Sequence, residues 1–159
     1  SRIERGHFVM EKRPADIASL VAGAVNQMRE KNVDRPIETR ISEEVKEIRV
    51  DSEKLTDLLT ILLDNAIHYS PPSSAVEIEV EPLGTGALVS VMDRGRGIPE
   101  RESELVFERF YQLEDSRHHS ASGMGLGLYI AREIVEGHGG RIWHENREGG
   151  GSIFRFIIP

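Results

Sequence analysis

Asp93-Arg94-Gly95-Arg96-Gly97-Ile98 and Ser122-Gly123-Met124-Gly125-Leu126-Gly127-Leu128 bracket the stretch whose reading decides the fold. Between them run the aromatic and charged segment Phe107-Glu108-Arg109-Phe110-Tyr111 and the polar segment Glu114 to Ser122. Glycine lets a backbone approach a phosphate closely and present its N–H groups, and a helix beginning there adds the positive end of its dipole. Two such clusters, joined by a loop long enough to close over a ligand, predict a nucleotide site under a mobile lid. The last lysine is Lys54, so neither cluster is a P-loop, which needs G-x-x-x-x-G-K-S/T. The spacing also differs from the G-x-G-x-x-G of a dinucleotide fold.

Upstream, Phe8 and Met10 alternate with polar neighbours as a short strand would. Asp16 is placed to cap a helix carrying Ile17, Leu20, Val21, Ala24, Val25 and Met28, which Asp34-Arg35-Pro36 breaks. Ile37, Thr39 and Ile41, then Ile48 to Val50, read as strands. Asp51 caps the strongest helix, with Leu55, Leu58, Leu59, Leu62, Leu63, Ala66 and Ile67 on one stripe, ended by Ser70-Pro71-Pro72. Val76 to Val80 and Ala87 to Met92 predict a hairpin around Pro82 to Gly86. Leu128 to Val135 read as a helix, and Arg141 to Glu145 with Ser152 to Ile158 as a closing hairpin. The expected class is α+β, helices on one face of a mixed, mostly antiparallel sheet.

Asn65, His68 and Tyr69 stand at i, i+3 and i+4, on one face beside the leucine stripe. An amide there suits a magnesium shell completed by phosphate and water, a tyrosine can lie along a base, and a histidine can reach a phosphate. A solvated helix face would look the same. Asp93 closes an apolar strand, where a carboxylate can accept from an exocyclic amine; a turn aspartate before glycine would look the same. Gly123, Gly125 and Gly127 run into a helix and fit either an anion site or a hinge. Arg109 and Arg117 flank the lid as candidates for a terminal phosphate, or as surface arginines. His118 and His119 fit solvated loop residues better than metal ligands.

Composition narrows the classes. At 159 residues, 38% hydrophobic and 30% charged, the chain fits one globular domain, and no apolar run reaches the ~20 residues of a membrane span. Net charge −7 argues against nucleic acid as partner. Zero cysteines exclude disulfides and thiolate metal sites and suit a reducing cytosol. A start at Ser1 without a signal-peptide core suggests an excised piece of a longer protein.

Together and in this order, these features resemble the catalytic ATP-binding domain of sensor histidine kinases, within the GHKL group. Leu62-Leu63-Asp64-Asn65-Ala66-Ile67-His68-Tyr69-Ser70-Pro71 is similar to its asparagine box. Asp93 to Ile98 is similar to the first glycine box, Phe107 to Tyr111 to the phenylalanine box, and Gly123 to Leu128 to the second glycine box. Glu136 to Trp143 and Gly151-Ser152-Ile153-Phe154 match the closing pattern. The resemblance implies a Bergerat-type two-layer sandwich binding Mg-ATP. Asn65 would hold magnesium, Asp93 the adenine amine and Tyr69 the adenine face. Gly123, Gly125 and Gly127 would meet the phosphates under the lid. His68, Gly95, Gly97, Ile98, Phe107, Tyr111, Leu126, Leu128 and Ser152 complete the expected ATP-binding set. His68 stands where the family often has lysine, Gln112 where it often has a basic residue, and Ile61 where it often has asparagine. Residues 1–6 resemble the end of the dimerisation helix that precedes the domain, giving an expected domain over 7–159.

Related GHKL ATPases carry a water-activating glutamate one turn before the asparagine. Here that position is Ile61, which cannot be a general base. The implied acceptor is therefore a histidine, and none of His7, His68, His118, His119, His138 or His144 sits in the family's acceptor pattern. The resemblance thus implies a donor domain. Its partners would be its own dimerisation and phosphoacceptor helices and a response-regulator receiver domain. The isolated piece would be a monomer, and the full-length protein a homodimer, cytoplasmic in this domain with a membrane anchor elsewhere left open. A GHKL ATPase or serine kinase, and a degenerate nucleotide-binding module, are the alternatives.

Overall fold

The computed structural model describes residues 9–113 and 125–159. In chain order the elements are β1 (Arg13–Ala15), α1 (Ile17–Lys31), β2 (Ile37–Ile41), β3 (Ile48–Val50), α2 (Ser52–Tyr69), β4 (Val76–Leu83) and β5 (Gly86–Met92). Two short 3-10 turns, Glu100–Glu102 and Leu105–Phe107, lead to α3 (Gly127–Gly137), β6 (Arg141–Asn146) and β7 (Ser152–Ile158).

Side chains alternate across a strand, so a strand that covers helices on one face shows every second residue apolar. β4 does this: Val76, Ile78 and Val80 are buried between the outward Glu77 and Glu79. β7 matches it with Phe154, Phe156 and Ile158. The sheet order is β2-β4-β5-β7-β6, parallel between β2 and β4 and antiparallel elsewhere. Register sets Val80 opposite Val89 and Val89 opposite Phe156, which gathers the apolar residues on one face. The other face carries ion pairs such as Arg40–Glu79 at 2.5 Å and Arg155–Glu145 at 2.8 Å.

α2 lies between α1 and α3 on the apolar face. Its Leu55, Leu58, Leu59, Leu62 and Leu63 are all at most 1% exposed. Burying each stabilises the fold by about 1.5–3 kcal/mol before entropy is counted. Asp51 begins the helix: Oδ1 accepts from the Lys54 N–H at 3.1 Å and Oδ2 from the Glu11 N–H at 3.0 Å. The Asp51 N–H donates to His138 Nε2 at 3.0 Å, while His138 Nδ1 lies 2.8 Å from the Ile134 carbonyl. A neutral ring that donates through Nδ1 and accepts at Nε2 satisfies both, and so ties the end of α3 to the start of α2.

The expected α+β class with helices on one face is what the chain adopts. Two local expectations move. Of the strand expected around Phe8 and Met10, Phe8 lies outside the described residues and Met10 is in no strand; the next strand is β1 at Arg13–Ala15, paired with β3. Pro14 fits there because a two-stranded ribbon leaves edge positions that need no N–H. α1 stops at Asn32, before Asp34-Arg35-Pro36, because the Asn32 side chain and backbone N–H both donate to the Met28 carbonyl at 2.9 Å. The expected lid, and the segment over residues 1–6, lie outside the described residues.

Candidate functional site

The last turns of α2 carry a second stripe beside the leucines. Ile61, Asp64, Asn65, His68 and Tyr69 recur at helical spacing and all face one cavity of about 380 Å3. That volume lies in the range of small-molecule sites. His68 and Tyr69 pack edge to face, with ring centroids 4.8 Å apart. Arg35 fixes this end of the helix. Its Nη2 donates to the Ile67 carbonyl at 2.9 Å and the Ser70 carbonyl at 3.2 Å. Its Nη1 reaches Ser70 Oγ and the Pro71 carbonyl at 2.8 Å and the Ser74 carbonyl at 3.1 Å. A helix end leaves carbonyls without intrahelical donors, and here one guanidinium supplies them.

The opposite wall begins where β5 ends. Asp93 is 3% exposed and lines the cavity. Its Oδ1 accepts from the Gly95 N–H at 2.7 Å and the Ser152 N–H at 3.4 Å. Among the described residues, Oδ2 accepts no hydrogen bond. Burial pushes the Asp93 carboxyl above the usual aspartate range, against the opposing pull of the Gly95 and Ser152 N–H groups and of Arg147 and Arg35.

Gly95 does not line the cavity. A Cβ there would stand 2.3 Å from the Tyr69 carbonyl oxygen, so its role is to let the loop close against the end of α2. Gly97, at φ +74°, turns the chain into the wall, and Asn146 clamps the next residue. Its Oδ1 accepts from the Ile98 N–H at 2.9 Å and its Nδ2 donates to the Ile98 carbonyl at 2.8 Å.

Tyr111, Gln112, Leu113, Gly125, Gly127 and Leu128 form the third side. The Phe110 N–H donates to the Gly125 carbonyl at 3.0 Å, which joins the two chain segments at the base of the expected lid. α3 starts at Gly127 with no side-chain cap and no acidic residue in its first turn. Its first N–H groups therefore favour an anion at that end of the cavity.

Of the residues expected from the sequence, the cavity gathers Asn65, His68, Tyr69, Asp93, Gly97, Ile98, Tyr111, Gly125, Gly127, Leu128 and Ser152. It does not gather four others. Phe107 is core, 5% exposed and edge-on to Phe154 at 6.0 Å. Arg109 stacks 4.9 Å from the centre of the Phe110 ring, on an exposed loop. Leu126 stands at the start of α3 without lining the cavity, and Gly95 packs as described. Gly123 and Arg117 lie outside the described residues. Asp64 and Arg96 line the cavity although the sequence reading did not single them out; the i, i+3 step from Ile61 to Asp64 was the available signal.

Comparison with known proteins gives consistent results. A family model described as histidine kinase-, DNA gyrase B-, and HSP90-like ATPase matches residues 50–159. The circadian input-output histidine kinase CikA of Synechococcus elongatus is 34% identical over 163 residues, covering 100% of this chain and 22% of its own length. The sensor histidine kinase WalK of Bacillus subtilis is 39% identical over 114 residues, 70% of this chain and 19% of its own. This chain thus spans about a fifth of the length of these relatives. The solved catalytic domain of histidine kinase ThkA superposes with a TM-score of 0.83 at 31% identity, over 94% of this chain and 96% of that one. ThkA is also known in complex with the response regulator protein TrrA, where it matches at a TM-score of 0.80 and 28% identity, over 95% of this chain and 42% of that one.

Proposed function

Because the chain belongs to the histidine kinase-, DNA gyrase B-, and HSP90-like ATPase family, we propose that it binds Mg-ATP in this cavity and donates the γ-phosphate to a histidine outside these 159 residues. A response-regulator receiver domain then takes the phosphoryl group, as the ThkA–TrrA pairing suggests. The observation that carries the proposal is that Asp93 and Asn65 line one cavity, with the Asp93 Oδ1 held by backbone N–H groups and its Oδ2 without a hydrogen bond among the described residues, so able to accept from a ligand amine.

The donor set fits magnesium. Asn65 and Asp64 offer oxygen atoms, and among the described residues no group of three His, Cys, Asp or Glu forms a closed metal site. Magnesium commonly keeps waters and phosphate oxygens in its shell and asks the protein for one or two ligands. When bound, it would neutralise charge on the transferring phosphoryl group. The uncapped start of α3 would hold phosphate oxygens, and Tyr69 would lie along the base. Ile61 lines the wall where a water-activating acid would have to stand, so transfer to a nucleophilic imidazole is favoured over hydrolysis.

The test supplies the chain with γ-labelled ATP, magnesium and a separate helical hairpin carrying an acceptor histidine. Acid-labile label on the hairpin, lost when its histidine is replaced by glutamine, is expected. Rapid release of free phosphate without labelling would instead support an ATPase.

A further inference from the structure

His144, on β6, is buried at 7% exposure and takes no part in the site just described. Its ring nevertheless touches it. Nε2 lies 2.9 Å from Oγ of Ser152, a cavity residue that is itself 5% exposed. Nδ1 lies 3.2 Å from Ser103 Oγ, and the same Ser103 hydroxyl is 3.3 Å from the His144 carbonyl oxygen.

A hydroxyl has one hydrogen, and a neutral imidazole has one donor and one acceptor nitrogen. If Ser103 donates to the carbonyl, its oxygen accepts from Nδ1–H, and Nε2 accepts from Ser152. All three contacts are then hydrogen bonds. In the other tautomer Ser103 donates its only hydrogen to Nδ1, and its oxygen faces the carbonyl oxygen with nothing between them. Burial pushes the His144 ring down to about 4, with Glu145 only partly opposing, so the ring is neutral at pH 7. The hydrogen of Ser152 is thus committed to His144, and its lone pairs are what Ser152 offers the cavity. Asp93, whose Oδ1 accepts from the Ser152 N–H at 3.4 Å, lines the same cavity and adds a second acceptor.

We infer that His144 is a specificity-determining positioning residue. By holding the Ser152 hydrogen it makes this corner of the cavity acceptor-only, matched to a purine with an exocyclic amine and mismatched to one with a carbonyl there. The inference rests on the nucleotide reading proposed above.

The experiment compares calorimetric binding of ADP and inosine diphosphate at pH 7, two ligands that differ at that substituent and do not turn over. In His144→Val, Ser152 is released to donate to the carbonyl, and the preference for ADP falls about fivefold, the scale of one net hydrogen bond. His144→Phe, which keeps a ring against Phe154, does the same and stands in if the valine variant does not fold. His144→Gln, whose amide oxygen can accept from Ser152, retains the preference. In a Ser152→Ala background, His144→Val leaves the ratio unchanged. Equal weakening of both ligands, or a changed ratio that persists without Ser152, overturns the inference and leaves His144 a packing residue. Failure of the unmutated chain to bind either nucleotide removes the nucleotide reading itself, and this inference with it.

Discussion

Replacing Arg35 with methionine keeps much of the aliphatic stem and removes every donor that closes the end of α2. The six acceptors lost are the Ile67, Ser70, Pro71 and Ser74 carbonyls and the Ser70 and Ser74 hydroxyl oxygens, between 2.8 and 3.4 Å from the guanidinium. Hydrogen bonds to a charged group contribute about 1.5–3 kcal/mol each when buried. The Pro71 carbonyl is exposed and the others are only partly buried, so water replaces part of the lost donation and the full sum is not expected. Ser70 is buried at 8% exposure, and water reaches it poorly. We expect a loss of about 3 kcal/mol, dominated by the acceptors at Ser70 and Ile67. In a domain of this size that corresponds to a fall of roughly 6–12 °C in Tm. The assay is urea unfolding followed by circular dichroism, with amide exchange at the end of α2. The midpoint should fall with little change in slope, and exchange should accelerate at Tyr69 and Ser70 before it does at Leu59. Arg35→Lys should recover under half of the loss, since one ammonium cannot serve both rows of acceptors. A loss below about 0.5 kcal/mol, as for ordinary surface changes, would refute the reasoning.

Gly95→Ala places a methyl group 2.3 Å from the Tyr69 carbonyl oxygen, against backbone that cannot yield. A loss of about 1–3 kcal/mol in denaturant titration is expected, along with loss of nucleotide binding. Burial raises the Asp51 carboxyl, but the Glu11 and Lys54 N–H groups and the Lys54 ammonium outweigh it and hold the group below the usual aspartate value of 3.8. The unfolded chain then binds the proton first, so Asp51 contributes stability above that value and loses it as pH falls through the lower folded one. Asp51→Asn should therefore flatten the unfolding midpoint below about pH 4, seen by thermal scans across an acid series. Asp93 has the opposite sign. Its folded carboxyl is raised by burial, so its ionisation opposes folding as pH climbs past 3.8. Asp93→Asn should leave the Tm of the ligand-free chain unchanged or higher at pH 7; a clear fall would show that the charge is structurally needed.

Much of this arrangement is legible in the sequence because it rests on periodicity. The leucines of α2 recur at helical spacing, and Asp51 precedes them, so the helix, its cap and its buried face follow directly. Val76, Ile78 and Val80 alternate, and so do Phe154, Phe156 and Ile158, which announces the sheet. The residues that support the site are harder to read. Arg35 sits between an aspartate and a proline and looks like part of a turn, yet its partners lie over thirty residues later. His144 is one of six histidines, and only register against β7 brings it to Ser152. Phe107 and Gly95 belong to the right motifs but serve packing, a distinction set by which side of the loop faces the core. The 3-10 turns carrying Glu102 and Phe107 have no sequence period long enough to predict.

The central claim is that this cavity binds Mg-ATP with Asp93 reading the base. Calorimetric titration with a non-hydrolysable ATP analogue, with and without magnesium, on the unmutated chain and on Asp93→Asn, tests it most directly. The account predicts binding strengthened by magnesium and weakened at least about tenfold in the variant, the scale of a hydrogen bond to a charged acceptor. No binding by the unmutated chain, or equal binding by the two, would contradict it.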